Sequence, residues 1–358
     1  NLLAPYPGSD SYNAVSKFSA SSGEVVWSRR TNMNWSIFGF GADIRLTGGS
    51  VSAVKWEDQV LLDSAGGFRQ VFVQLDTTSG DMRSTYKVST TTGSITTHHV
   101  EQLSANRMFM CLRTVGVGTL AFNGENISLP STGQQLIFIK ADTNLTGAGF
   151  KVLNPGSSIA FQLGATRSNL AFSRAKDSIY FIANSNSSAD NIFYNLDGYN
   201  LSLFRKNALI AMDTQFNTRR ALPISVHPTP QNSVQYKSIA CVGNNLYLIG
   251  QVSGNNQAPP IVPYPTNVVN VDFLPGLSDT LNLEGPSQSF ILKTSPTFSS
   301  PRIKWLGVHS VYESSSLFIS YLTNTNSRLS FSHSIDNIWN PWIVDTALQV
   351  RQGQMKAN

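Results

Sequence analysis

The stretch that decides the fold is AVSKFSASSGEVVWSRR at residues 14–30, because its plan returns at 71–88 as VFVQLDTTSGDMRSTYKV. An apolar strand ends in a short polar residue, turns through a Gly-containing segment, and returns as a second strand. Five such first strands occur: AVSKFS (14–19), VFVQLD (71–76), IFIKAD (137–142), LIAMD (209–213) and FILKTS (290–295). EVVWS, STYKV, GFKVL, RALPI and RIKWL follow them in turn. The last residues of the first strands are Ser19, Asp76, Asp142, Asp213 and Ser295, spaced by 57, 66, 71 and 82 residues. Self-similarity at such a period marks a repeat architecture.

Between these pairs lies a second hairpin plan, in which a polar-tipped strand turns and a strongly apolar strand returns. It is read at 51–67, 100–115, 170–185, 238–253 and 310–323. Alternating the two plans gives strands A, B, C and D, then A again. One four-stranded antiparallel sheet cannot bury both faces, whereas sheets packed around an axis can, leaving only short edges. The expectation is an all-β chain, a single β-propeller domain over 1–358. Five blades are preferred and six are the alternative, since 328–334 and 340–345 also read as a C–D pair. The chain opens with a C–D pair and carries its last A–B hairpin near the other end, so the termini are expected to close the ring. Residues 346–358 are read as a tail.

VSKFSASSGEVVWS resembles the repeat element of the SBBP-type bacterial β-propeller family, and 107–142 resembles that family's longer unit, in which a hairpin precedes the first C-strand. The resemblance covers three of the five units and departs at Phe150, Leu222 and Ile303, near where the family carries Trp. It implies the propeller fold and a secreted or surface location. It implies no shared activity.

Of the 358 residues, 41% are hydrophobic, enough for a sizeable core, and only 13% are charged. Globular chains usually carry about 25%. Ser, Thr and Asn fill the surface instead, which suits an extracellular or cell-surface protein whose leader has been removed. The net charge of +5 is mild for this length, and the basic runs stop at Arg29-Arg30 and Arg219-Arg220. The electrostatic footprint of a nucleic-acid binder is therefore missing. No apolar run approaches the ~18 residues of a membrane span.

His98, His99, His227, His309 and His333 form no dense ligand spacing. His98 and His99 adjoin a strand and are expected on opposite faces. Asp76, Asp142 and Asp213 occupy equivalent positions, hence separate blades, and are expected to accept turn N–H groups instead of forming a catalytic cluster. NLDGYN (195–200) and DTTSGD (76–81) are expected to be Asx-type turns, not calcium loops. No catalytic, metal or cofactor site is predicted. Cys111 and Cys241 fall two units apart, beyond the ~7 Å reach of a disulfide; both are expected to be reduced and buried. The sequons at Asn34, Asn126, Asn144, Asn186 and Asn200 are candidate glycosylation sites, all expected in loops or turns.

The B–C connection is expected to be short in the second unit, long at 186–207 and very long at 254–287. The last carries Pro259, Pro260, Pro263, Tyr264 and Pro265, and is read as a Pro-rich insertion on one face. Phe273, Leu274 and Leu277 within it are too apolar to stay solvated, so they pack on their own blade or form a contact surface. The function expected is a non-enzymatic structural or adhesion subunit of a surface or filamentous assembly, with a protein partner or self-association. A glycan-binding lectin is the alternative, although Trp27, Trp35, Trp56, Trp305, Trp339 and Trp342 recur at no common position. A propeller enzyme is the third reading.

Overall fold

The computed structural model describes residues 13–32, 36–40, 43–50, 54–62, 69–91, 94–122, 124–130, 134–142, 149–153, 170–173, 175–184, 193–202, 206–226, 233–253, 267–274, 277–283, 287–309, 317–318, 328–335, 338–345, 348 and 350–352. All secondary structure among them is β, paired antiparallel, and no helix occurs among them. The backbone divides into two compact units, Asn1–Ser157 and Ser158–Asn358.

The first unit opens with the pair β1 (Asn13–Phe18) and β2 (Val25–Thr31). Next come β3 (Ser36–Phe40), β4 (Asp43–Ser50), the short hairpin β5 (Val54–Trp56) and β6 (Gln59–Leu62), then β7 (Arg69–Asp76) and β8 (Met82–Thr90). Strands β3, β4, β7 and β8 bond in that order as A to D. The β5–β6 hairpin leaves this sheet and adds to β2 through Thr31 and Trp56. The plan repeats with β9 (Ile95–Ser104), β10 (Arg107–Val115), β11 (Gly118–Phe122), β12 (Glu125–Leu129), β13 (Gln134–Asp142) and β14 (Gly149–Leu153). Here β9-β10-β13-β14 is the sheet, and β11–β12 adds to β8 of the sheet before it.

The second unit contains β15 (Leu170–Phe172), β16 (Ser178–Asn184), β17 (Phe193–Leu196), β18 (Tyr199–Ser202), β19 (Lys206–Asp213) and β20 (Thr218–Val226). It continues with β21 (Ser233–Val242), β22 (Asn245–Ser253), β23 (Asn267–Leu274), β24 (Leu277–Leu283), β25 (Ser287–Thr294) and β26 (Arg302–His309). Strands β15-β16-β19-β20 and β21-β22-β25-β26 are the sheets, and β23–β24 again adds to the outer strand before it, β20. A last sheet joins β27 (Leu317–Phe318), β28 (Arg328–Ile335), β29 (Ile338–Asp345) and β30 (Val350–Gln352).

The C and D strands of all five units fall where the sequence places them. The C strand β7 reads as an apolar run because its two faces meet different cores, Phe72 in one and Val71, Val73 and Leu75 in the other, and Leu136 to Ile139 of β13 are buried in succession. The D strand β8 alternates exposed and half-buried residues over Met82–Lys87, as an outer strand does.

Three placements differ from the sequence reading. The segment at 51–67 carries β5–β6, the added hairpin, and the A–B hairpin of that sheet is β3–β4. The second sheet's B–C connection is not short; it contains β11–β12. The 254–287 segment contains strands β23 and β24. In each case B–C hairpins form an outer layer that wedges between sheets. Leu120, Phe122, Ile127 and Leu129 of β11–β12 share one core with Phe72 and Val88 before them and Met108, Met110, Ile137 and Ile139 after them. Within the tail, Leu348 is buried and Val350–Gln352 pairs with β29.

Candidate functional site

The C–D turns carry the most specific chemistry. In Asp76–Asp81 the Asp76 carboxylate accepts N–H bonds from Thr78 (2.6 Å) and Ser79 (3.1 Å). The Arg83 guanidinium at 2.6 Å and these N–H groups hold its acidity at a pKa of about 2. Asp213 accepts from Gln215 N, Asn217 N and Asn217 Nδ2, and pairs with Arg219 at 2.6 Å. Burial alone would raise its pKa; those bonds outweigh burial and keep it low. Ser295 holds its turn in the same way with a hydroxyl, taking the Ser299 N–H at 3.0 Å. The expectation that these residues pin turns therefore holds for both described aspartate turns. DTTSGD is an Asx turn; Asp197 in NLDGYN sits in the β17–β18 turn at φ 50° and accepts from Thr218 N and Oγ1 at 2.9 and 2.6 Å.

Two of these turns also seat against the preceding sheet. The Asp76–Asp81 turn lies on β1–β2. Lys17 Nζ donates to Thr77 O (2.7 Å), Trp27 Nε1 to the same oxygen (3.1 Å), and Arg29 to Ser79 O (2.7 Å) and Asp81 Oδ1 (2.6 Å). Gly80 has φ +72°, and a Cβ there would stand 2.5 Å from Trp27 Cδ2. Both the backbone conformation and the indole demand glycine. On the β20–β25 side the sizes are exchanged: Phe298 takes the left-handed position at φ 59°, and Arg220 lies over its ring at 5.8 Å. Burial of Phe298 offsets the ~1–2 kcal/mol that a left-handed non-glycine costs.

A second feature is a cleft of about 560 Å³ lined by Ser173, Ala175, Asp177, Ser178, Tyr180, Cys241, Gly243, Asn244 and Pro296. The A–B turns of two neighbouring sheets build it, with Pro296 from a C–D turn. Asp177 takes hydroxyl hydrogen bonds from Ser173 (2.6 Å) and Ser178 (3.0 Å), which hold its pKa below the usual carboxylate value. Burial raises the Tyr180 phenol. The Cys241 thiol points to Gly243 O at 3.7 Å. An ionised carboxylate beside hydroxyls and an amide suits a small hydroxylated or cationic ligand.

The expected positions of several other residues are corrected. The β9–β10 register slips between Cys111 and Leu112, which makes His98 a bulge residue. His98 and His99 thus escape strict alternation, and the two rings lie close enough to influence one another. His98 is buried, its Nε2 has no hydrogen-bond partner, and burial, Arg113 and His99 lower its pKa to about 4. Neither cysteine forms a disulfide. Cys111 is buried as expected, and burial raises its thiol pKa; Cys241 is only half-buried, because it stands at the cleft edge of β21. Asn126 is exposed but lies in strand β12, and Asn200 lies in strand β18, so neither is in a loop.

Asn34, Asn144 and Asn186, and Pro259, Pro260, Pro263, Tyr264 and Pro265, lie outside the described residues. Phe273 and Leu274 are buried in the core, and Leu277 packs against it. The Phe273 ring stands 5.0 Å from Phe290 and 5.7 Å from Trp305, whose Nε1 donates to Asp279 of the same hairpin at 3.0 Å. Among the described residues no group of three or more His, Cys, Asp or Glu could hold a metal ion.

The turn-on-sheet joints and the cleft were not identified from sequence. The shared Gly in SASSGE and DTTSGD was the visible signal for the joints; the cleft joins turns about 65 residues apart and left none. No protein-family model matches the chain, and no curated protein matches it.

Proposed function

We propose that the protein is a non-enzymatic, extracellular structural or adhesion subunit, and that its sheets are blades of a five-bladed β-propeller. The observation that carries the reading is the consumption of B–C hairpins: β5–β6, β11–β12 and β23–β24 each brace the outer strand of the preceding sheet. Insertions that elsewhere build active-site loops here cross-link the scaffold, as a subunit under mechanical load needs. Six blades remain the alternative, favoured by the sheet β27-β28-β29-β30, in which β28 and β29 pair as the further C–D pair read at 328–334 and 340–345 would. The low charge and the resemblance to SBBP-type repeats suit a surface location.

Light scattering on a sizing column tests the reading. Species well above one 39.1 kDa chain, or capture of a surface partner, support it. A strictly monomeric protein that turns over a substrate refutes it. The Asp177–Tyr180–Asn244 cleft favours one second reading, a lectin, and reproducible glycan-array hits abolished by Asp177→Ala would establish that reading instead.

A further inference from the structure

The cleft between the β15–β16 and β21–β22 turns contains a charge that the fold leaves unmatched. Asp76, Asp81 and Asp213 each pair with an arginine at 2.6 Å. Asp177 in the cleft wall is exposed and pairs with no cation among the described residues. It is also the one charged residue among those that line the cleft.

The Asp177 carboxylate is fixed in place all the same. Ser173 Oγ and Ser178 Oγ both donate to its Oδ1, at 2.6 and 3.0 Å. Ser173 Oγ in turn accepts from Asp177 N at 3.1 Å and Ser178 N at 3.2 Å, so the turn is built around that hydroxyl. Both hydroxyl protons are therefore spent on Oδ1. Oδ2 takes no bond from another described residue, which leaves its lone pairs for a ligand.

The opposite turn adds neutral polar groups. Gly243 O and the Asn244 side chain belong to exposed residues of β21–β22, and the buried Tyr180 and Pro296 complete the lining. The volume of about 560 Å³ lies within the ~300–1,000 Å³ of small-molecule sites. An anion would meet the carboxylate unfavourably, and a neutral sugar would leave its charge to water alone. A primary ammonium supplies an opposite charge and three donors.

We propose that the cleft binds a small hydroxylated amine of the amino-sugar class. Its ammonium pairs with Asp177 Oδ2, and its hydroxyls meet Gly243 O and the Asn244 amide. This site goes beyond the structural-subunit reading, which needs no small ligand. It differs from a lectin site for neutral glycans in requiring the positive charge.

Cys241, half-buried in the same lining, reports occupancy. Its labelling by a maleimide is followed by mass spectrometry on the native chain, with the buried Cys111 as the unreactive reference. Glucosamine is added at mildly acidic pH, where its amine is charged and Asp177 stays ionised. Labelling slows saturably. Glucose, which has a hydroxyl in place of the ammonium, gives no protection at the same concentration. Asp177→Asn keeps the size of the side chain and an oxygen for Ser173 and Ser178, yet weakens protection by glucosamine about tenfold. Asn244→Asp adds a second carboxylate and strengthens it. Rising salt weakens it.

Equal protection by glucose and glucosamine overturns the proposal and returns the cleft to the lectin reading. Glucosamine that protects Asp177→Asn as well as wild type overturns it too. So does a native chain in which neither sugar slows labelling or gives heat in a calorimetric titration. None of these outcomes touches the mass measurement on which the structural-subunit reading stands or falls.

Discussion

Gly80→Ala probes the joint between the Asp76–Asp81 turn and β1–β2, and Gly23→Ala supplies its control. Both glycines have φ +72°, so alanine incurs the same left-handed penalty of about 1 kcal/mol at either position. Only at position 80 does the new methyl meet atoms: Trp27 Cδ2, Cε3 and Cε2 at 2.5, 2.7 and 3.0 Å. These belong to a rigid fused ring that is 7% exposed and tethered by its Nε1 to Thr77 O, so it cannot swing clear cheaply. Overpacking of this kind costs about 1–3 kcal/mol. Gly80→Ala is expected to lose about 2–4 kcal/mol and Gly23→Ala about 1 kcal/mol or less. Urea unfolding at low protein concentration reads both as shifts in midpoint at constant slope. In a Trp27→Leu background the Gly80→Ala cost falls to that of Gly23→Ala, which assigns the difference to the indole. Equal losses at the two glycines, with no coupling to Trp27, would refute the joint as described.

Acid sensitivity centres on His98, whose pKa is lowered to about 4 from an ordinary 6.5. The unfolded chain binds the proton more readily, so stability falls as pH drops from about 6.5 to about 4, by roughly 3 kcal/mol at most. His98→Gln flattens that part of the stability–pH profile, and an unchanged profile counts against the buried imidazole. The cysteines separate by access: a thiol reagent such as Ellman's titrates Cys241 in the native protein and Cys111 only after unfolding. Two rapid equivalents in the native protein would contradict the burial of Cys111.

The C and D strands were legible because a strand covered on both faces reads as an uninterrupted apolar run, and a Ser or Asp at its end marks the turn. Hairpin assignment failed at 51–67 for a physical reason. VKWEDQVLL has the same polar-tipped plan as a true A–B pair, while SIFGF and DIRLTGGS are diluted by glycine. Strand periodicity reports which face is buried, not which neighbour supplies the hydrogen bonds. The addition of β11–β12 to β8 was therefore invisible, as was the bulge at His98, which depends on one register slip. The cleft lay further from view, since Asp177 and Cys241 meet only through the packing of two sheets.

Hairpin addition also sets a timetable for synthesis. Strand β8 is complete at Thr90, but the hairpin that covers its edge ends at Leu129, and β20 ends at Val226 while its cover ends at Leu283. At a translation rate of about 5–20 residues per second, each outer edge waits roughly 2–11 s for its cover. During that interval the nascent chain displays an unpaired strand that any neighbouring nascent chain could pair with. Every ribosome on a shared message is in the same condition. Spacing of ribosomes, or a chaperone that favours extended edges, therefore bears on yield as much as the stability of the finished sheets.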